Sequence, residues 1–260
     1  MAPLVFITGA SSGIGQSLAR QYYDAGYSLA LVARRSAEIL SWAQTQGLEA
    51  NRFAVYNADV AVPDSIVAAA QTCLAQQGLP DVVIANAGIS VGMDTAVRKD
   101  LDVMAQTFAT NNIGLAATFH PFIDGMTRRG SGRLVGIGSV AGIRGLPGHG
   151  AYCASKAAVI AYCESLRGEL RDSGVKVVTI CPGYIDTPLT QKNRYSMPFL
   201  MQVDDFSRRA FTSIAAGDSY RVIPWQMGWV AKLLRLLPNA VFDRALSGRP
   251  RKRRTGEQGS

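Results

Sequence analysis

Two residue types that build reactive centres are scarce in this chain: among 260 residues there are two histidines, His120 and His149, and four cysteines, Cys73, Cys153, Cys163 and Cys181. The cysteines form no Cys-x-x-Cys pair and no His/Asp/Glu cluster has ligand spacing, so neither a disulfide framework nor a metal site is expected. A reducing, cytoplasmic setting fits that cysteine usage. No stretch approaches the run of about 18 apolar residues that a spanning helix needs. The amino terminus also lacks a basic segment leading into an apolar stretch and a cleavage site; Pro3-Leu4-Val5-Phe6-Ile7 runs directly into a glycine-rich turn and reads as a first β-strand. Internal repeats and interdomain linkers are missing as well.

What is present suits one large α/β domain, because 48% hydrophobic content over 260 residues supports a single well-buried core. Short aliphatic runs alternate with longer amphipathic or Ala-rich segments, the pattern of βαβ units feeding a parallel sheet covered on both faces. Strands are predicted near 3–7, 28–33, 52–57, 82–85, 133–138, 175–181 and 220–223, and helices near 13–26, 36–47, 63–77, 99–128 and 149–172. Right-handed crossovers then imply a doubly wound, Rossmann-type sheet of about seven strands whose ligands bind at the strands' carboxyl ends. The domain is expected over 1–248, with 188–224 as a substrate lid, 225–248 as a helical extension and 249–260 as a basic, disordered tail.

Most chemistry-bearing motifs fall at strand ends. Thr8-Gly9-Ala10-Ser11-Ser12-Gly13-Ile14-Gly15 follows the first strand and opens the first helix. Backbone that approaches a phosphate tolerates no Cβ, and a helix N-terminus offers free N–H donors, so Gly9, Ser11, Ser12, Gly13, Ile14 and Gly15 are read as a dinucleotide cradle. The second strand ends Ala33-Arg34-Arg35. An acid is usual here for a free adenosine ribose, whereas a guanidinium pairs with a 2′-phosphate, so NADP(H) is expected over NAD(H). Asp59-Val60 at the third strand end offers a carboxylate to the adenine amino group. Asn86-Ala87-Gly88 at the fourth lets backbone lie beside the adenosine half.

Downstream, Tyr152 and Lys156 stand four apart at the start of a helical segment, on one face, and Ser139 ends the fifth strand thirteen positions earlier. A phenol titrating near 10 is a poor base at neutral pH. A neighbouring ammonium, joined by the positive charge of oxidised nicotinamide, is expected to lower that value. Ser139 is placed to hydrogen-bond a substrate oxygen while Tyr152 transfers the proton. Asn111 is a poor choice for a helix interior unless its amide has a task, and it is expected to anchor a water linking Lys156 to solvent; Asn112 is the alternative.

As a set, Thr8-Gly9-x-x-x-Gly13-x-Gly15, Asn86-Ala87-Gly88, Asn111, Ser139, Tyr152-x-x-x-Lys156 and Pro182-Gly183-x-Ile185-x-Thr187 resemble the short-chain dehydrogenase/reductase family over roughly residues 3–190. The resemblance implies that Tyr152 is the acid/base, that Lys156 also holds the nicotinamide ribose, that Ser139 orients the carbonyl and that Asn111 maintains a proton relay. It places Ile185 and Thr187 against the nicotinamide carboxamide, with Pro182 and Gly183 shaping the turn, and it implies a homodimer or homotetramer. The glycine spacing departs from the family's epimerase-like branch, which disfavours sugar-nucleotide epimerisation.

The substrate end is read from composition. Tyr195, Met197, Pro198, Phe199, Leu200, Met201 and Phe206 suit an apolar carbonyl substrate, lipid-like compounds included, although a helix simply packed on the domain explains them equally. His149 is a weaker candidate for the pocket wall. Six of the eight net positive charges follow Trp225, where eight basic residues face only Asp243 and Glu257. Two tryptophans, a leucine-rich helix and this basic segment suit the interface of an anionic membrane over 225–254, with packing on the domain or on a partner subunit as the competing expectation. No nucleic acid is expected, since no reader fold accompanies the arginines. The expected activity is NADPH-dependent reduction of a ketone, or oxidation of the matching alcohol; the alternative is a non-catalytic NADP-binding sensor or scaffold.

Overall fold

The computed structural model describes residues 2–191, 196–248, 252 and 254. Seven strands, β1 (Leu4–Thr8), β2 (Ser28–Ala33), β3 (Phe53–Asn57), β4 (Val82–Ala85), β5 (Gly132–Ile137), β6 (Val175–Pro182) and β7 (Tyr220–Ile223), form one parallel sheet in the order β3-β2-β1-β4-β5-β6-β7. The helices are α1 (Gly13–Asp24), α2 (Ser36–Thr45), α3 (Pro63–Gln76), α4 (Asp100–Phe108), α5 (Gly114–Arg129), α6 (Gly150–Glu169), α7 (Val203–Ala216), α8 (Trp225–Leu236) and α9 (Asn239–Leu246). This is the single doubly wound, Rossmann-type α/β architecture read from the alternating pattern.

Successive strand residues point to opposite faces, and both faces are apolar. Phe6, Val83, Leu134 and Val177 pack beneath Ile66 of α3, Phe119 and Phe122 of α5 and Val159 of α6. On the other face Val5, Ile7, Leu31, Ile84 and Ile180 meet Leu18 and Tyr22 of α1, Ile39 of α2 and Phe206 and Ile214 of α7. The chain therefore has no polar sheet face on which to place a ligand. Chemistry is confined to the carboxyl edge, at the switch point where β1 and β4 run side by side and the winding reverses.

That switch point is held by hydrogen bonds. The Thr8 hydroxyl accepts from the backbone N–H groups of Asn86 and Ala87 at 3.1 and 3.2 Å, and the Asn86 amide donates to the Thr8 carbonyl at 3.0 Å. The glycine turn and the Asn86-Ala87-Gly88 turn are thus tied together before any ligand arrives.

Three expectations need refinement. The single long helix predicted over 99–128 is two helices, α4 and α5, joined by a π-turn at Ala109–Ile113 that contains Asn111. Span 188–224 is not one lid: it holds α7 and β7, and Phe206 is fully buried in the core because α7 packs on α1. Met201 is tied into the fold through Ile185, Tyr184 and Asp186, leaving Phe199 and Leu200 as exposed apolar groups of that loop. Tyr195 and most of the tail at 249–260 lie outside the described residues. Of that tail, Arg254 pairs with Asp100 at 2.6 Å and Lys252 donates to Ser90 at 2.8 Å.

Candidate active site

A cleft of about 420 Å³ runs along the carboxyl edge of the sheet. Its walls include Gly9, Ser11, Ser12, Gly13 and Ile14 from the first turn, Arg34 and Arg35 after β2, Asp59 and Val60 after β3, and Asn86, Ala87 and Gly88 after β4. Ser139, Tyr152 and Lys156 close one end with Pro182, Gly183, Ile185 and Thr187. The fold thus brings almost every residue singled out from the sequence to one cavity. Gly15 and Asn111 do not line it; both stand directly behind it.

The first turn fits a pyrophosphate on steric and electrostatic grounds. Gly9 and Gly13 have φ of +69° and +54°, and a Cβ on Gly9 would come within 2.8 Å of the Ala87 backbone. Gly15 allows α1 to start directly against the turn, since a Cβ there would meet the Gly9 carbonyl at 2.2 Å. Ser12 leads into α1 with no side chain capping its first N–H groups and no acid in its first turn. These donors and the positive end of the helix face the cleft, the arrangement an anionic diphosphate requires.

Beside the turn, Arg35 donates through Nη2 to the Ser11 hydroxyl at 3.2 Å and pairs with Glu38 at 3.2 Å. Arg34 approaches Asp59 at 3.5 Å in a largely exposed pair that holds it weakly. Asp59 is itself shaped by the strand end, accepting from the Ala61 N–H at 3.0 Å. Two guanidiniums therefore flank the end of the cleft that the glycine turn opens. Arg35, rather than Arg34, reaches across to that turn.

At the other end, β5 delivers Ser139 and α6 delivers Tyr152 and Lys156. The Ser139 hydroxyl accepts from the Ala141 N–H at 3.1 Å and hydrogen-bonds the Tyr152 hydroxyl. The Lys156 ammonium donates to the Ile137 carbonyl at 2.7 Å, is 5% exposed and lies 5.9 Å from the centre of the Tyr152 ring. Burial pushes that ammonium down to about 8, so at neutral pH it is still mostly charged. The Tyr152 phenol is pushed above its ordinary value by burial, partly opposed by the bond to Ser139. The lowering expected from the sequence counted the charge of oxidised nicotinamide beside the ammonium; with protein groups alone, desolvation outweighs the opposing effect of Ser139 and the phenol is raised.

Asn111 and Asn112 are distinguished by their partners. Buried in the π-turn, Asn111 accepts from the Ile89 N–H at 2.8 Å and donates to the Ile89 carbonyl at 3.0 Å and the Ser155 hydroxyl at 2.9 Å. A Cβ on Gly88 would touch both the Asn111 Oδ1 and the Lys156 Nζ, at 3.3 and 3.6 Å, which places the amide close behind the lysine. Asn112 donates to the Ser155 carbonyl, and its own oxygen is buried without a partner. His149 does not line the cleft; it is buried, faces the Pro147 carbonyl at 3.1 Å, and burial holds its imidazole below the ordinary value. Arg144 ties the Ser139 segment to the end of α8 and to Asn239 of α9; an arginine in a loop carries no sequence signal of such a role.

Comparison with known proteins places this geometry in context. The family described as short chain dehydrogenase matches residues 3–197. An "Uncharacterized oxidoreductase" of Myxococcus xanthus is 36% identical over 242 residues, covering 92% of this chain and 94% of its own. A "Dehydrogenase/reductase SDR family protein 7-like" of Anopheles gambiae is 37% identical over 193 residues, 72% of this chain, and the match spans 60% of that longer relative. Among solved structures, a short-chain dehydrogenase from Sphingobium yanoikuyae in complex with NADPH superposes with a TM-score of 0.77 at 26% identity, over 92% of this chain and 97% of its own. One from Burkholderia phymatum in complex with NAD reaches 0.81 at 22% identity, over 96% of each chain.

The buried ammonium makes a prediction in stability. The unfolded lysine keeps its proton up to about 10.5 and the folded one releases it near 8, so stability rises with pH across that window. Lys156→Met removes the burial cost of the charge, so it should be the more stable form at pH 7, by up to about 3 kcal/mol. The advantage should shrink steadily between about pH 8 and 10.5. Urea unfolding of both proteins across that range checks this; parallel pH dependences would mean that the ammonium is not desolvated.

Proposed function

The chain belongs to the short-chain dehydrogenase family and is an NAD(P)-dependent oxidoreductase, and we propose that it uses NADP(H) to reduce a ketone, or to oxidise the matching secondary alcohol, on an apolar, lipid-like compound. The observation that carries this reading is the meeting of Ser139, Tyr152 and Lys156 at one end of a cleft whose other end is flanked by Arg34 and Arg35. NADP(H), when bound, supplies or takes up the hydride. Ser139, whose oxygen already accepts from the Ala141 N–H, aims its own proton at the carbonyl oxygen. Tyr152 gives up its phenolic proton to that oxygen as it gains charge, and takes it back in the reverse direction. The Lys156 ammonium stabilises the phenolate, and Asn111 holds the π-turn and Ile89 beside it as the support of a proton relay.

The preference for NADP(H) rests on Ala33, which leaves β2 without an acid at its end, and on the Arg35–Ser11 pair beside the glycine turn. A non-catalytic scaffold is disfavoured, because a protein that only binds the nucleotide has no need of Ser139, Tyr152, Lys156 and Asn111 together. All four cysteines are unpaired and buried, which supports a reducing, cytoplasmic setting. Assembly into a homodimer or homotetramer is part of the proposal by likeness to the family.

The apolar substrate and an anionic membrane surface are proposed together. Among the described residues no helix is long and apolar enough to cross a membrane. On α8, however, Trp225, Trp229, Leu233 and Leu236 form one stripe at helical spacing and are 61–79% exposed. Lys232 and Arg235 lie on the same helix, which carries no acid. A second copy packed symmetrically on this stripe would set like charges against each other; anionic headgroups complement them. α8 packs against Gly183 and against the turn after Ser139, so the helix that carries the stripe adjoins that end of the cleft through its opposite, buried face. Lys252 and Arg254 are engaged with Ser90 and Asp100, so the contact expected over 225–254 narrows to α8 and α9.

Three measurements test this reading. NADPH oxidation across a panel of aliphatic and aromatic ketones should show turnover in the wild type; Tyr152→Phe should lose it by at least about a thousandfold while titrating NADPH as before, and comparable activity in both would rule the assignment out. Arg35→Ala should weaken NADPH about tenfold or more and leave NADH nearly unchanged; equal weakening of both would show that this arginine does not read the 2′-phosphate. In flotation with vesicles containing phosphatidylserine, the wild type should rise with the lipid and a Trp225→Ala/Trp229→Ala protein should stay behind. Failure of the wild type to float would end the membrane proposal.

A further inference from the structure

The segment between Ser139 and Tyr152 is the least regular part of the catalytic end, and it carries two of the three reacting side chains. After Ser139 it forms one 3-10 turn, Val140–Gly142, in which the Gly142 N–H donates to the Ser139 carbonyl at 3.0 Å and the Ile143 N–H to the Val140 carbonyl at 3.1 Å. That turn presses on α6, since a Cβ on Gly142 would meet the Lys156 carbonyl at 2.7 Å. A single turn of this kind has little stability of its own. Something must hold its far side.

Arg144 does so. Its Nη1 donates to the carbonyls of Leu234, Arg235 and Leu237 at 2.5, 3.0 and 2.9 Å, and its Nη2 donates to the Asn239 side-chain oxygen at 3.2 Å. The guanidinium also lies 3.9 Å from the centre of the Phe242 ring. These carbonyls belong to the C-terminal end of α8, which turns into extended backbone at Leu237 without a backbone cap. A cation supplied from another part of the chain satisfies them and complements the helix dipole. The same side chain therefore closes α8, stacks on α9 and fixes the residue that follows the serine turn.

We propose that Arg144 is a positioning residue: with α8 and α9 it forms a brace that holds the Ser139 turn against α6, so that the serine hydroxyl stays aimed at the reacting oxygen. It does not line the cleft, and it acts through the turn. The kinetic half of its test rests on the reading of Ser139 given above, while the exchange half is independent of it.

Hydrogen–deuterium exchange of Arg144→Ala with NADPH present should show the amides of Ala141, Gly142 and Ile143 exchanging about tenfold faster than in the wild type, while β1 and α1 remain protected. Loosening confined to α8 and α9, with the 140–143 amides unchanged, would make Arg144 a structural anchor only and overturn the proposal. Global loss of protection would overturn it too. Arg144→Lys, which keeps the charge without the planar fork, should fall between the two. With a ketone turned over by the wild type, Arg144→Ala should lower kcat roughly tenfold at unchanged NADPH affinity, and it should cost nothing further when Ser139 is already alanine. A full additional loss in the Ser139→Ala background would sink the coupling. A Ser139→Ala protein as active as the wild type would instead overturn the catalytic reading while leaving the exchange result to judge the brace.

Discussion

One buried charge organises the catalytic end of this protein. The Lys156 ammonium is almost entirely removed from water and donates to a strand-end carbonyl at Ile137. Holding a cation there is unfavourable unless its surroundings are tightly specified. Gly88 and Gly142 leave the room it needs, one beside the ammonium and one against its own backbone carbonyl. The π-turn that carries Asn111 and the 3-10 turn that follows Ser139 both lie against the start of α6. The fold keeps this lysine buried and charged at some cost to its stability.

The glycine turn works by a different principle, since it needs close approach rather than burial. Thr8 joins two strand ends by hydrogen bonds, and that junction brings Gly9 so near Ala87 that any larger residue would force them apart. The end of the cleft at Arg34 and Arg35 is by comparison open and weakly held, since both arginines make largely exposed ion pairs. Rigid backbone at the glycine turn and adaptable side chains beside it share one cleft.

The C-terminal extension links two properties that a sequence reading keeps apart. Its buried side, through Met227 on Gly183 and Arg144 on the last turn of α8, supports the end of the cleft that Ser139 and Gly183 line. Its outer side carries the tryptophan and leucine stripe. One helix thus joins the turn after Ser139 to a solvent-facing apolar stripe.

Much of the architecture was legible in the order of residues because it follows from local chemistry. Apolar runs at the right length with glycine-rich ends dictate strands and turns, and parallel strands with right-handed crossovers bring all those ends to one edge; Gly9, Asn86, Ser139 and Tyr152 had to meet once the sheet formed. Spacing along a helix likewise placed Tyr152 and Lys156 on one face. Tertiary structure decided what depends on partners distant in the chain. It assigned Phe206 to the core because α7 packs on α1, set the Tyr152 phenol above its ordinary value because burial exceeds the opposing effect of Ser139, and separated Asn111 from Asn112 by the hydrogen bonds each finds. It alone revealed Arg144, since the carbonyls that this residue caps lie some ninety positions away and become its neighbours only in the folded chain.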